Sequence, residues 1–200
     1  SLDPELLGKV FENLLASYNP ETQQTARKQT GSFYTPREIV QYMVDESLVT
    51  HLKRTVGNEL ESEYRKLLDY ADNEILLTEQ QKLAIMQSLY NCKILDPACG
   101  SGAFPVGVLQ QMVHILKQID PDNSRWKNML LQFAIDETSE AYLNSTAEER
   151  REAVADIERA FDENVNYPDY ARKIHLIENC IYGVDIQPIA IQISKLRFFI

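Results

Sequence analysis

The sequence predicts an α/β protein, rich in helix and built on few parallel strands, and three observations predict it. Two short apolar runs, Lys93-Ile94-Leu95-Asp96 and Ile181-Tyr182-Gly183-Val184-Asp185, each end in a carboxylate followed by a turn, the pattern of buried strands. Each run is followed by helical periodicity, and the long stretch between them supplies the crossover that parallel strands need. Capping-box signatures at Thr35-Pro36-Arg37-Glu38, Thr78-Glu79-Gln80-Gln81 and Thr146-Ala147-Glu148-Glu149 write helix starts between and before the strands.

In chain order, Leu6, Leu7, Val10, Phe11, Leu14, Leu15 and Tyr18 recur at helical spacing. They predict an amphipathic helix over residues 4–18 that ends near Asn19-Pro20. Residues 21–30 are polar and unpatterned and predict a loop. Thr35 suits an N-cap and Pro36 a first turn, so a helix follows through about Leu52, burying Ile39, Val40 and Met43, with Val44 as a further candidate. Residues 57–90 offer two charged amphipathic helices, the first carrying Leu60, Tyr64, Leu67 and Leu68, the second Leu83, Met86 and Leu89. Residues 103–119 are helical by length and periodicity, with Val106, Leu109, Met112, Val113 and Leu116 on one face. Residues 121–178 are again helix-rich, and the charged run 148–159 reads as a solvated face. Pro188 opens a last helix carrying Ile189, Ile193 and Leu196.

The composition bounds what such a chain can do. Two hundred residues with 44% apolar content can bury a core, which points to one globular domain. No apolar run approaches the ~20 residues that cross a bilayer, and no signal-peptide order opens the chain, so an intracellular, cytoplasmic protein without a membrane partner is expected. Cys92, Cys99 and Cys180 form no CxxC pair, and His51, His114 and His175 show no zinc-ligand spacing beside them; neither disulfides nor a metal site is expected. The net charge of -10 is the wrong sign for gripping nucleic-acid phosphates.

Ligands of parallel sheets bind beyond the carboxyl ends of the strands, where Asp96 and Asp185 stand. After Asp96, Gly100 and Gly102 flank Ser101 in a turn where missing side chains let backbone approach a ligand closely. A glycine turn also serves plain chain reversal, so it is weak evidence alone. A dinucleotide fingerprint needs a third glycine where this chain has Pro105, which moves nicotinamide and flavin cofactors to second place. Asp185 is placed to accept two hydrogen bonds from the vicinal hydroxyls of a ribose. Cys99 reads as a small filler, with no histidine or base beside it.

Three segments in order, Gly31-Ser32-Phe33-Tyr34-Thr35-Pro36, Asp96-Pro97-Ala98-Cys99-Gly100-Ser101-Gly102-Ala103-Phe104 and Tyr182-Gly183-Val184-Asp185-Ile186-Gln187-Pro188, resemble the first three motifs of the N6-adenine DNA methyltransferases of bacterial restriction-modification systems. The leading helix and polar linker resemble the large single-chain, Type IIG-like kind and its relatives in phage defence. The resemblance implies a Rossmann-like, S-adenosylmethionine-dependent methyltransferase fold, here truncated. Residues 1–30 would form a helical lead-in and residues 31–200 the N-terminal half of the methyltransferase domain, with helical insertions at about 57–90 and 120–178.

The roles that the resemblance implies fall on particular residues. Thr35, with the backbone around Tyr34, would hold the carboxylate of the cofactor's methionine part, and Asp96 its ammonium; Phe33 would be a further cofactor-binding residue. Ala98, Gly100, Ser101 and Gly102 would line the turn with Phe104 nearby; Asp185 would take the ribose and Ile186 wall the adenine. In the family an Asn-Pro-Pro-aromatic motif holds the target amine of a flipped base. No Pro-Pro pair occurs in these 200 residues. The resemblance therefore implies a cofactor-binding portion without catalytic residues, inactive by itself, whose DNA partner is gripped mainly by parts outside this chain. An open edge of the first strand would invite self-association. A non-catalytic, methyltransferase-like interaction module is the alternative from another class.

Overall fold

The structure is a computed structural model that describes residues 8, 10, 18–19, 24–25, 35–136, 143–162, 166–167 and 169–199. Its elements in order are β1 (Tyr18–Asn19), β2 (Gln24–Thr25), α1 (Arg37–Thr55), a 3-10 turn (Asn58–Leu60), α2 (Glu61–Leu68), α3 (Glu79–Tyr90), β3 (Ile94–Asp96), α4 (Ala103–Ile119), α5 (Ser124–Ile135), α6 (Ala147–Ala160), α7 (Tyr170–Asn179), β4 (Ile181–Gly183) and α8 (Pro188–Phe199). The helix-rich class and the parallel strand pair are as expected: β3 and β4 run parallel, Ile94 opposite Ile181 and Asp96 opposite Gly183.

The lead-in differs from expectation. Gly8 and Val10 are helical, but Tyr18 is not; Tyr18–Asn19 pairs antiparallel with Gln24–Thr25. That puts a short ladder where the sequence predicts the helix end and a loop. The rest of the 4–18 helix and of the 21–30 loop falls outside the described residues.

The helix starts at Thr78 and Thr146 are built as read. Gln81 N–H donates to Thr78 Oγ1 at 3.2 Å while Thr78 N–H donates to Gln81 Oε1 at 2.8 Å. Glu149 N–H and Thr146 Oγ1 repeat the arrangement at 3.2 Å, with Thr146 N–H on Glu149 Oε2 at 2.6 Å. The box predicted at Thr35 does not form: Pro36 is the N-cap of α1, with no side-chain capping bond. The fixed φ of proline suits that position, which moves Thr35 one residue outside the helix.

The core is a helical one centred on α4. Val106, Leu109, Met112, Val113 and Leu116 are all buried, joined by Val108, Ile115 and Ile119. Against α4 lies α1, whose crossing is close enough that a Cβ on Gly107 would sit 3.3 Å from Val44 Cγ2. The buried face of α1 is Val44, Leu48, Val49 and Leu52; Ile39 and Met43, expected inside, are exposed, Met43 because it faces the groove described below instead of the core. Tyr64, Leu67, Leu68, Met86 and Leu89 are buried as expected, whereas Leu83 is exposed. No residue of α6 is buried, so its charges do form a solvated face.

A buried ion pair pins the excursion between the strands. Asp120 and Arg172 are both 0% exposed. Arg172 Nη2 donates to the Asp120 backbone carbonyl and to its Oδ2, the latter at 3.2 Å. The same carboxylate accepts from the N–H groups of Arg125 at 3.1 Å and Trp126 at 2.9 Å, so it also caps the start of α5, where the helix dipole favours a negative charge.

Two further expectations are corrected at the sheet. The strands are not buried on both faces: Leu95 is 60% exposed and Tyr182 and Val184 are exposed too, since among the described residues the sheet has two strands only. On α8 the buried face is Ala190, Ser194 and Arg197, while Ile189 and Leu196 point outward. The apolar periodicity of that helix therefore marks its outer side.

Candidate functional site: a groove beyond the parallel strands

The chain leaves β3 through a turn built from three hydrogen bonds. Ala98 N–H donates to Asp96 Oδ1 at 3.0 Å, an Asx turn that holds this oxygen along the backbone. Gly102 N–H closes onto the Cys99 carbonyl at 2.8 Å, and Val106 N–H takes the Gly102 carbonyl at 3.0 Å as α4 begins. Gly100 has φ +53° and Gly102 φ +85°, left-handed conformations that side chains disfavour.

The second strand is stitched to this turn. Val184 N–H donates to the Asp96 carbonyl and Cys99 N–H to the Val184 carbonyl, both at 2.9 Å. Asp185 extends the connection with its side chain: Oδ2 accepts from Gly100 N–H at 2.9 Å and Oδ1 from Gln187 N–H at 2.7 Å. Asp185 thus lies two residues past β4 instead of closing it. Cys99 is the buried filler between the two, with its sulfur 3.0 Å from where a Cβ on Gly183 would be. Burial pushes its thiol up, and the nearby Asp96 and Asp185 push it further in the same direction, so it is a poor thiolate nucleophile.

In front of the turn is a groove of about 370 Å³, within the size range of small-molecule sites. Of the residues singled out in the sequence, Thr35, Asp96, Ala98, Gly100, Ser101 and Phe104 line it together. Gly102 does not; it is buried behind the turn against α8. Asp185 is not on the lining either, being drawn toward the turn by its two amide donors. Ile186 is 84% exposed beyond the groove, and Phe33 and Tyr34 lie outside the described residues.

The sequence reading misses Val40 and Met43, which supply the apolar wall from α1, and Leu95, Pro97 and Ala103. For Val40 and Met43 the signal is helical spacing, which a groove wall shares with a core face. It also misses Ser194 and Arg197, whose i, i+3 spacing on an apolar helix marks a shared buried face. Among the described residues no group of three or more His, Cys, Asp or Glu could hold a metal ion. None of the described helices is long and apolar enough to cross a membrane.

Fold and groove define an α/β protein with a groove at the carboxyl end of a parallel strand pair, floored by a glycine turn and lined by one carboxylate, Asp96. Residues 2–58 match the model of the N-6 DNA Methylase family, a span that includes Thr35 and the whole of α1. The whole chain is 26% identical, over 211 residues, to a putative type II restriction enzyme and methyltransferase of Methanocaldococcus jannaschii. All of this chain is covered, and it spans 14% of the length of that curated relative. No solved structure matches it. The resemblance to N6 DNA methyltransferases of restriction systems is therefore borne out.

Proposed function

We propose that the groove holds S-adenosylmethionine and that these residues form the cofactor-binding part of an adenine-N6 DNA methyltransferase of a restriction-modification or phage-defence system. The observation that carries this is the arrangement of Asp96, Gly100, Ser101 and Thr35 around one groove at the end of a parallel strand. The fold it implies is the Rossmann-like methyltransferase fold.

In this reading Thr35, released from capping duty, faces the methionine carboxylate together with Phe33 and Tyr34. Asp96 has one oxygen on Ala98 N–H and offers the other to the methionine ammonium, while its charge also favours a cofactor carrying a sulfonium. Ala98, Ser101 and the bare Gly100 allow backbone contact along the cofactor, with Phe104 beside them. A carboxylate has about four acceptor sites; Asp185 commits two to amides and keeps two for ribose hydroxyls. Exposed Ile186 supplies an apolar wall for the adenine ring. Residues that select and hold the target base are not in these 200 residues, which contain no Asn-Pro-Pro-aromatic motif. Methyl transfer therefore needs more than this chain, DNA is gripped elsewhere, and the open edge of β3 is a surface for self-association. The intact protein works in the cytoplasm.

The test is calorimetric titration of the chain with S-adenosylhomocysteine, a stable analogue of the cofactor. Binding that Asp96→Ala weakens at least tenfold, without label transfer from tritiated cofactor to DNA, is expected. No binding by the wild-type chain, or an unchanged affinity in Asp96→Ala, would sink the reading.

A further inference from the structure

The glycine turn is braced from behind by α8, and the brace is polar. Arg197 is only 9% exposed, an unfavourable place for a guanidinium unless it is hydrogen-bonded. Its Nη1 donates to the Ser101 carbonyl at 3.0 Å and to Ser101 Oγ at 3.4 Å. One turn of helix earlier, Ser194 packs so tightly beneath Gly102 that a Cβ there would lie 2.3 Å from its Oγ and 3.2 Å from its Cα. The guanidinium also touches the start of the chain, since a Cβ on Gly8 would sit 3.0 Å from the same Nη1.

Three distant parts of the chain thus meet at one side chain: the turn at Ser101, the helix that follows β4, and the N-terminal segment at Gly8. Ser101 lines the groove on one side and presents its carbonyl to Arg197 on the other. The peptide between Ser101 and Gly102 can rotate only if this bond breaks, and Ser194 prevents Gly102 from swinging toward α8.

We propose that Arg197 is a positioning residue for the cofactor site: it fixes the Ser101 peptide so that the turn presents its groove-facing backbone in one orientation, and Gly8 packs against the same guanidinium. The inference rests on the cofactor reading above. Arg197 touches no ligand itself; it acts through Ser101. A lysine keeps the charge and the stem but not the planar fork, so Arg197→Lys separates orientation from charge.

The experiment compares the wild-type chain, Arg197→Lys, Arg197→Ala and Thr78→Ala, a helix-cap variant remote from the groove. Affinity for S-adenosylhomocysteine, melting temperature and amide exchange at Ser101 and Gly102 are measured for each. Expected are an affinity loss of about threefold in Arg197→Lys and tenfold or more in Arg197→Ala, faster exchange at both amides, and unchanged affinity in Thr78→Ala. Wild-type affinity in both arginine variants, or an equal loss in Thr78→Ala at a similar melting temperature, would overturn the proposal. If the wild-type chain binds no S-adenosylhomocysteine, the cofactor reading falls instead; exchange at Ser101 and Gly102 that stays unchanged in Arg197→Lys would overturn the brace itself.

Discussion

Replacing Gly102 by alanine tests how the turn is held. Two costs add. A non-glycine residue in the left-handed region, where Gly102 has φ +85°, costs about 1–2 kcal/mol. The new methyl would also lie 2.3 Å from Ser194 Oγ, 3.0 Å from its Cβ and 3.2 Å from its Cα, an overpacking typical of about 1–3 kcal/mol. The sum is roughly 2–5 kcal/mol, or a fall in melting temperature of the order of 10 °C for a domain of this size. Gly100 provides the internal reference: its φ is +53°, but nothing lies within 4 Å of a Cβ there, so Gly100→Ala carries the conformational cost alone, about 1–2 kcal/mol. Urea unfolding followed by far-ultraviolet circular dichroism measures both. Adding Ser194→Ala to Gly102→Ala removes the hydroxyl that crowds the new methyl most and recovers about 1 kcal/mol, less than the whole because the α and β carbons at position 194 stay in place. The reasoning fails if Gly102→Ala costs no more than Gly100→Ala, or if the double variant is no more stable than the two single effects predict.

Two other perturbations reach beyond the groove. Asp120→Asn takes from the fully buried Arg172 guanidinium its nearest carboxylate and leaves Asp169, at 3.7 Å, as the remaining counter-charge, so a loss of about 3 kcal/mol, the low end for a broken buried pair, is expected; the double variant with Arg172→Met restores much of it in urea unfolding, and no restoration would mean that the cap on α5 matters more than the pair. Burial holds the His175 imidazole below its ordinary value of 6.5, against the stacked ring of Tyr90 at 4.2 Å. The unfolded chain therefore takes up the proton first, so the stability from His175 is complete above pH 6.5 and is lost as pH falls through the folded value. His175→Phe flattens that slope in melting temperature measured between pH 7 and 5, and an unaltered slope would assign it to other groups.

Much of this molecule is readable because its signals are local. The boxes at Thr78 and Thr146, and the whole of α4 with its buried face, follow from spacing over one or two helical turns. What fails depends on neighbours. Ile39 and Met43 have core spacing yet both are exposed, and at Met43 the layer that would bury it is replaced by a groove. Leu95 and Leu196 are apolar for contacts that the described residues do not make. Thr35 satisfies every local rule for an N-cap, and proline geometry shifts the helix by one residue. At the site, Asp96 and the glycines are legible from their place after an apolar strand. The engagement of Asp185 by Gly100 is not, because no pattern within a short window reports a bond between residues 85 positions apart.

That same bond bears on how the protein folds. The free energy of loop closure rises only slowly with length, about 0.6 kcal/mol for each doubling, so the helices between β3 and β4 can be extended in related chains with little loss of stability. The kinetic consequence runs the other way. Contacts this remote in sequence form late, after α4 and the helices that follow it have collapsed, so a ribosome must deliver Asp185 before the turn at Gly100 acquires its second anchor. The groove is then among the last features to mature, and a nascent chain acquires its helical scaffold well before it acquires a place for a ligand.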